Sequence, residues 1–202
     1  MTADKGEIAR YLGYGSAVPD PRVAERILFC LNALEAVTPR YVSRNMPLDG
    51  LAFHSADLER HLFGCRHVYL FAATLGAQAD TLLRRWAAAD MSLAVVGQAC
   101  AAAVLEDYCD QCMERLTETL PEGQFLRPRY SPGYGDFSLD FQRPLLDLLD
   151  AGRRLGLSLT EGGMLVPAKS VTAVIGITAD GSACRLHKCA RCSKTDCPFR
   201  KE

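Results

Sequence analysis

From Met91 to Leu105 the chain reads MSLAVVGQACAAAVL, with no charge at all. The run is rich in alanine, a strong helix former, and holds no proline. A helix that is apolar on every side is buried on every side. The segment therefore predicts a central helix from Met91 to Leu116, with the other elements wrapped around it. Glu106 is the first charge to break the run, so a carboxylate sits where the buried stretch ends.

The flanking segments supply that wrapping. IARYLGYG (8–15) reads as a short apolar strand entering a glycine turn. PDPRVAERILFCLNALEAV reads as a helix, with Asp20 as N-cap, Pro21 as first helical residue, and Val23, Ile27, Leu31 and Leu34 as its stripe. YVSRNMPL predicts a strand, and so does HVYLFAATLG, which ends at Gly76 and leads into AQADTLLRRWAAAD. In that helix Ala79, Leu82, Leu83 and Trp86 share one face. SLDFQRPLLDLLDAGRRLG predicts a single helix capped by Ser138 and ended by Gly156, with Leu145, Leu148 and Leu149 facing inward. The last third is β-like: LSLTEGGMLVP, SVTAVIGIT, and the hairpin signal ADG at 179–181. The fold class expected is α+β, with a mixed or antiparallel sheet, a central buried helix and flanking helices. Domain 1–182 is followed by a short Cys-rich tail, 183–202.

At 202 residues the chain is long enough to bury a sizeable core. A net charge of −1 argues against nucleic acid or an acidic membrane as a bulk partner. No window reaches the uninterrupted apolar length of a membrane span. MTADKGEIAR lacks the apolar stretch of a secretory signal, so the expected location is cytoplasmic.

Cysteine usage points the same way. Cys30, Cys65, Cys100, Cys109 and Cys112 are scattered among apolar residues and read as small core side chains rather than a disulfide framework. Cys184, Cys189, Cys192 and Cys197 crowd the tail as C-x4-C-x2-C-x4-C, with His187 among them. A Cys-x2-Cys pair lets two thiolates reach one metal from a tight turn, and four thiolates complete a zinc site or hold an iron–sulfur cluster. The spacing does not choose between them. Arg185, Lys188, Arg191, Lys194, Arg200 and Lys201 surround the cluster, as solvated side chains or as a docking face for an acidic partner.

RPRYSPGYGDF (127–137) packs two prolines and two glycines into a stretch that neither a helix nor a central strand tolerates. It is a linker or an ordered turn that displays side chains. A carboxylate such as Glu106 at the end of an apolar helix needs a cation, and Arg129 is a candidate. One reading is a structural ion pair. The other is a zwitterion pocket in which Glu106 takes an ammonium and Arg129 a carboxylate. The turn's backbone and the Tyr130 and Tyr134 rings would then receive a flat ring.

The run RYSPGYGD, then LDFQRPLLDLL, then GLSLTEGGMLVPAKSVTAVIG, resembles the activation (reactivation) domain of cobalamin-dependent methionine synthase, in its free-standing form. The likeness extends from RYLGYG through ATLG (73–76) to the hairpin near 180. Arg-x-x-Pro-Gly-Tyr followed by Leu-Thr-Glu and Met-x-x-Pro is its specific combination. The resemblance implies an accessory subunit that binds S-adenosylmethionine as methyl donor for reductive methylation of cob(II)alamin. The cobalamin is held by a partner, methionine synthase or another corrinoid protein. Electrons would come from a flavodoxin- or ferredoxin-like donor. By similarity Arg129 contacts the donor's carboxylate, Ser131, Gly133 and Tyr134 are turn positions at the ligand, and Glu106 is the helix carboxylate that meets it. The catalytic role is that of a methyltransferase component in the reactivation half-reaction, with no catalytic side chain of its own.

The chain departs from the pattern twice. The fused enzymes carry a further acidic contact from an N-terminal segment, with no counterpart placed here, and they lack the cysteine cluster. Two alternatives of other classes are an iron–sulfur electron-transfer module for another corrinoid methyltransferase and a zinc-knuckle interaction protein. His54, His61 and His67 show no partner spacing and read as core or surface residues.

Overall fold

In the computed structural model, which describes residues 3–15 and 17–181, the chain begins with a helix rather than a strand. In α1 (Lys5–Tyr11) the Asp4 carboxylate accepts the Gly6 N–H at 2.8 Å, and Ile8 and Ala9 are buried. This corrects the strand expected over 8–15. The cap that starts the helix lies upstream of the apolar residues, and Gly13, at φ 86°, turns the chain after it. α2 (Pro21–Leu34) starts as expected, with the Asp20 carboxylate accepting from Arg22 and Val23 N–H and Pro21 at the first position. It buries Ile27, Cys30 and Leu34.

β1 (Arg40–Pro47), α3 (Ala56–His61), β2 (His67–Thr74), α4 (Gly76–Ala89) and α5 (Met91–Glu118) follow. After these come β3 (Phe125–Leu126), α6 (Gln142–Leu149), α7 (Ala151–Leu155), the short pair β4 (Ser158–Leu159) and β5 (Leu165–Val166), and β6 (Ser170–Thr178). The main sheet has the order β1-β2-β6-β3, with every pairing antiparallel. Its α+β architecture is the one expected.

The sheet is apolar on both faces and separates two cores. Phe71, Ala73, Ala173, Ile175 and Ile177 face the core built with α1, α2, α4 and α5. Val68, Leu70, Ala72 and Val174 face the other, with Phe137 and the leucines of α6 and α7. Alternation along each strand makes this division, since successive side chains point to opposite faces.

α5 is the long central helix, but it is not buried all round. Ala99 to Ala101 and Ala103 to Leu105 are largely buried, whereas Met91 and Val95 are 69% and 55% exposed. The first turns present one apolar side to the protein and another to solvent, so lack of charge overstated how much is covered. Where α4 crosses α5 the packing is close. A Cβ on Gly97 would stand 2.3 Å from the Trp86 ring.

The helix expected over 138–156 is broken into three pieces. A 3-10 turn at Leu139–Phe141 precedes α6, and Asp150 adopts φ 49° between α6 and α7. Two arginines of β1 satisfy the exposed helix ends. Arg44 donates to Leu148 O at 3.0 Å and Arg40 to Leu155 O at 3.1 Å. Such donors meet carbonyls that a helix terminus leaves without partners. The ADG signal is followed by no second strand among the described residues, because any return strand would lie beyond Gly181.

Candidate functional site

The turn after β3 is ordered. Tyr134 N–H donates to Ser131 O (3.1 Å), Gly133 N–H to Phe137 O (2.7 Å) and Phe137 N–H to Tyr134 O (2.9 Å). Gly133 and Gly135 hold φ of 91° and 53°, in the region glycine enters without cost. A Cβ on Gly135 would stand 2.1 Å from Asp57 Oδ2 and so would displace that carboxylate. The turn is clasped to the start of α3 from both sides. Asp136 accepts from the N–H groups of Ala56 (2.9 Å) and Asp57 (3.1 Å) and from the Ser55 hydroxyl, while Asp57 accepts from Asp136 N–H (3.2 Å). The Ser55 hydroxyl bond comes first, then the backbone donors, in holding the Asp136 carboxyl below the usual carboxylate range. Phe137 anchors the whole at 1% exposure.

Just upstream, the strand carries one extra residue. Leu126 pairs with Ile177 and Arg127 N–H donates to Gly176 O (2.8 Å), but Tyr130 pairs with Val174. Two residues, Pro128 and Arg129, therefore stand opposite Ile175 alone. This is a β-bulge, placed where proline removes a ladder donor. His61 Nε2 donates to Pro128 O at 2.8 Å, and its ring packs 5.0 Å from that of Tyr130. The bulge keeps Arg127 and Tyr130 on the α6 side while turning Arg129 toward α5.

On that side Arg129 is 9% exposed and meets two carboxylates of α5, Glu106 at 2.7 Å and Asp110 at 3.0 Å, both through Nη2. They lie four residues apart and so share a helix face. Arg129 Nη1 is buried and has no hydrogen-bond partner. Tyr134 is 47% exposed. Burial, with Glu106 second and Arg129 opposing, raises its phenol pKa. Cys109, one turn from Glu106 and next to Asp110, is fully enclosed, and burial pushes its thiol up to about 12 against the pull of Arg129.

The structure thus brings together Glu106, Arg129 and Tyr134 and places Ser131 and Gly133 in the same turn. The Gly133 and Tyr134 N–H groups are spent inside that turn, so they are not the backbone donors expected for a ring. Three residues escaped the sequence reading. Asp110 is a second acid on Arg129, recoverable from its i+4 spacing to Glu106. Glu7 and Tyr11 arrive on α1. Burial raises the Tyr11 pKa most, followed by the charges of Glu7 and Glu106, with Glu7 also accepting its hydroxyl. The strand assignment for 8–15 hid this approach, and with it an acidic residue near the site from the N-terminal segment. Glu7 is paired with Arg10.

The expected metal ligands Cys184, Cys189, Cys192 and Cys197, with the tail as a separate unit, lie outside the described residues. Within those residues no three His, Cys, Asp or Glu side chains group as a metal site. No described helix is long and apolar enough to cross a membrane.

No protein-family model matches the chain, and no curated protein does. Among solved structures, the crystal structure of the MetH reactivation domain bound to AdoHcy superposes with a TM-score of 0.59. The match covers 85% of this chain and 73% of that one at 16% identity. The fold is that of the MetH reactivation domain. At this identity the likeness concerns architecture, and the site stands on its own geometry.

Proposed function

We propose that this chain binds S-adenosylmethionine at the Glu106–Arg129–Asp110 cluster. It would serve as an activation subunit for cobalamin-dependent methionine synthase or another corrinoid methyltransferase. The observation that carries the reading is the charge imbalance at a buried arginine. Two carboxylates face one guanidinium, and one guanidinium nitrogen still lacks a partner. A structural ion pair needs one carboxylate. The donor's methionine end carries an ammonium and a sulfonium against one carboxylate, the complement of this cluster. The neighbour of like fold is itself described as bound to AdoHcy.

Binding would exchange the internal ion pair for ligand contacts. Glu106 and Asp110 would turn to the ammonium and sulfonium, and Arg129 would take the carboxylate. Tyr134, half exposed and near Glu106 and Arg129, would offer its ring to the flat base. Ser131 and Gly133 shape the turn against it. When bound, the donor supplies an electrophilic methyl group, and the nucleophile is the reduced cobalt carried by the partner. The chain's own task is positioning, for which no general base is required. The enclosed Cys109 thiol, kept protonated, is a poor competing nucleophile.

Isothermal titration with S-adenosylmethionine tests this, on the native chain and on Arg129→Ala. Binding in the native chain that weakens tenfold or more in the variant, about 1.4 kcal/mol, is the expected result. No binding at millimolar donor, with docking to a cobalamin domain retained, would turn the reading toward an electron-transfer module. That alternative draws on Cys184, Cys189, Cys192 and Cys197, proposed to hold an iron–sulfur cluster or zinc, with a flavodoxin- or ferredoxin-like protein as electron source. Metal analysis of anaerobically purified protein discriminates them, since a colourless chain with one zinc excludes a cluster.

A further inference from the structure

The second half of α5 carries Glu106, Asp107, Asp110, Glu114 and Glu118 against a single cation, Arg115. At about 3.6 residues per turn these five acids fall within roughly a third of the helix circumference. That sector looks away from the buried Cys109, Cys112 and Leu116. Glu106 and Asp110 share Arg129, and Asp107 accepts from Gln111 at 2.8 Å. Glu114 and Glu118 are exposed and form no ion pair among the described residues. Helix physics does not favour such a face. Glu106, Asp110, Glu114 and Glu118 follow one another at four-residue steps, where like charges repel. Glu118 also sits in the last turn, at the negative end of the helix dipole. The ladder calls for cations.

The same chain carries them. Residues 182–202, outside the described residues, hold Arg185, Lys188, Arg191, Lys194, Arg200 and Lys201 against Asp196 and Glu202. With the whole chain at −1 and this segment at +4, residues 1–181 carry −5. Four thiolates on a divalent metal would still leave the segment positive. The last described residue lies at the matching end of the fold. Phe125 pairs with Thr178, and a Cβ on Gly181 would stand 3.0 Å from the Phe125 ring. Phe125 opens β3 shortly after α5 ends, and its neighbour Leu126 shares a core with Leu116 of α5. An extended segment of this length spans about 70 Å, against roughly 18 Å from Glu106 to Glu118, so the whole ladder is within reach.

We infer that residues 182–202 dock through their arginines and lysines on the acidic ladder of α5 in the same molecule. A single exposed ion pair is weak and screened by salt. Tethering offsets that weakness, because the segment meets the ladder at a high effective concentration and engages it at several points. The ladder begins at the Glu106–Arg129–Asp110 cluster, so docking also brings Cys184, Cys189, Cys192 and Cys197 into its neighbourhood. The inference depends neither on the methyl-donor reading nor on a metal at those cysteines.

The test treats the full chain at low salt with a zero-length carbodiimide, which joins a lysine amine to a carboxylate in contact with it, and maps the linked peptides. Lys188, Lys194 and Lys201 should link to Asp110, Glu114 or Glu118 several-fold more often than to Asp49, Glu59 or Asp147, which are exposed elsewhere. In a mixture of unlabelled and isotope-labelled protein, the links should stay within one molecule. Arg185→Glu with Arg191→Glu should reduce the lysine links several-fold, since arginine does not itself react. Salt at about 1 M, where screening shortens to ~3 Å, should do the same. Links spread evenly over exposed carboxylates, no links from these lysines, links only between molecules, or links indifferent to the arginine reversals would overturn the docking. Should the double variant not fold, the native chain still decides, by the position of its links and their loss in salt.

Discussion

Arg127 and Arg129 stand two residues apart on one strand end, are equally enclosed, and live in opposite electrostatic surroundings. Arg129 faces α5 and has more carboxylate than it needs. Arg127 faces the α3 side and has none among the described residues. The contrast teaches where each charge does its work. A guanidinium already neutralised from within can trade partners with a zwitterion at modest cost. One left bare in a low-dielectric setting instead biases whatever ionisable group lies beside it, here the Cys65 thiol.

The two faces also differ in how tightly they are built, and glycine substitutions should show it most strongly. Gly97→Ala drives a methyl into the rigid Trp86 ring and should cost about 3 kcal/mol, the upper range for overpacking. Gly176→Ala meets the ends of Cys65 and Leu62 side chains, which can turn, and should cost roughly 1 kcal/mol. Thermal unfolding of the two variants checks the ranking. A reversal would mean that the Arg127 side is the rigid one. The arginines themselves supply the next test. Arg127→Met removes an unpaired buried charge and should leave the melting temperature unchanged or raised, because apolar replacement of buried charge is often neutral or stabilising. A drop of several degrees would show that Arg127 has a counter-charge after all. The smallest effect concerns the clasp between the turn and α3. The Asp136 carboxyl is held low in the fold, so its contribution is complete above about pH 4 and is lost as pH falls through its depressed value. Amide exchange at Ala56 and Asp57 should accelerate there before the sheet does. If both accelerate together, the clasp is not a separate unit.

Much of the frame was legible in residues whose meaning is local. Asp20 and Pro21 mark a helix start by a cap and a fixed φ, and the apolar run of β2 marks a strand covered on both faces. The uncharged run of α5 announced a central helix, yet not that Met91 and Val95 remain exposed. Charge alone says nothing about which side another helix covers. Charge logic alone pairs Glu106 with Arg129, and the two stand 2.7 Å apart. Glu7 and Tyr11 were missed because the Asp4 cap precedes the apolar stretch that looked like a strand. Cys65 and Arg127 were unreadable as a pair, since only the sheet register and the missing Cβ of Gly176 bring them together. At the break by Asp150 a tertiary cap from Arg44, distant in sequence, meets Leu148 O, and Arg40 meets Leu155 O at the end of α7.

In an uninterrupted strand, residues two apart look the same way, so Arg-Pro-Arg would deliver both guanidiniums to one room and their repulsion with them. The additional residue at Pro128 changes the parity of the count. It lets one short stretch of backbone serve the two opposite faces of the sheet. A comparison that slides this triplet as a rigid same-face unit would therefore assign one of its arginines to the wrong side of the protein.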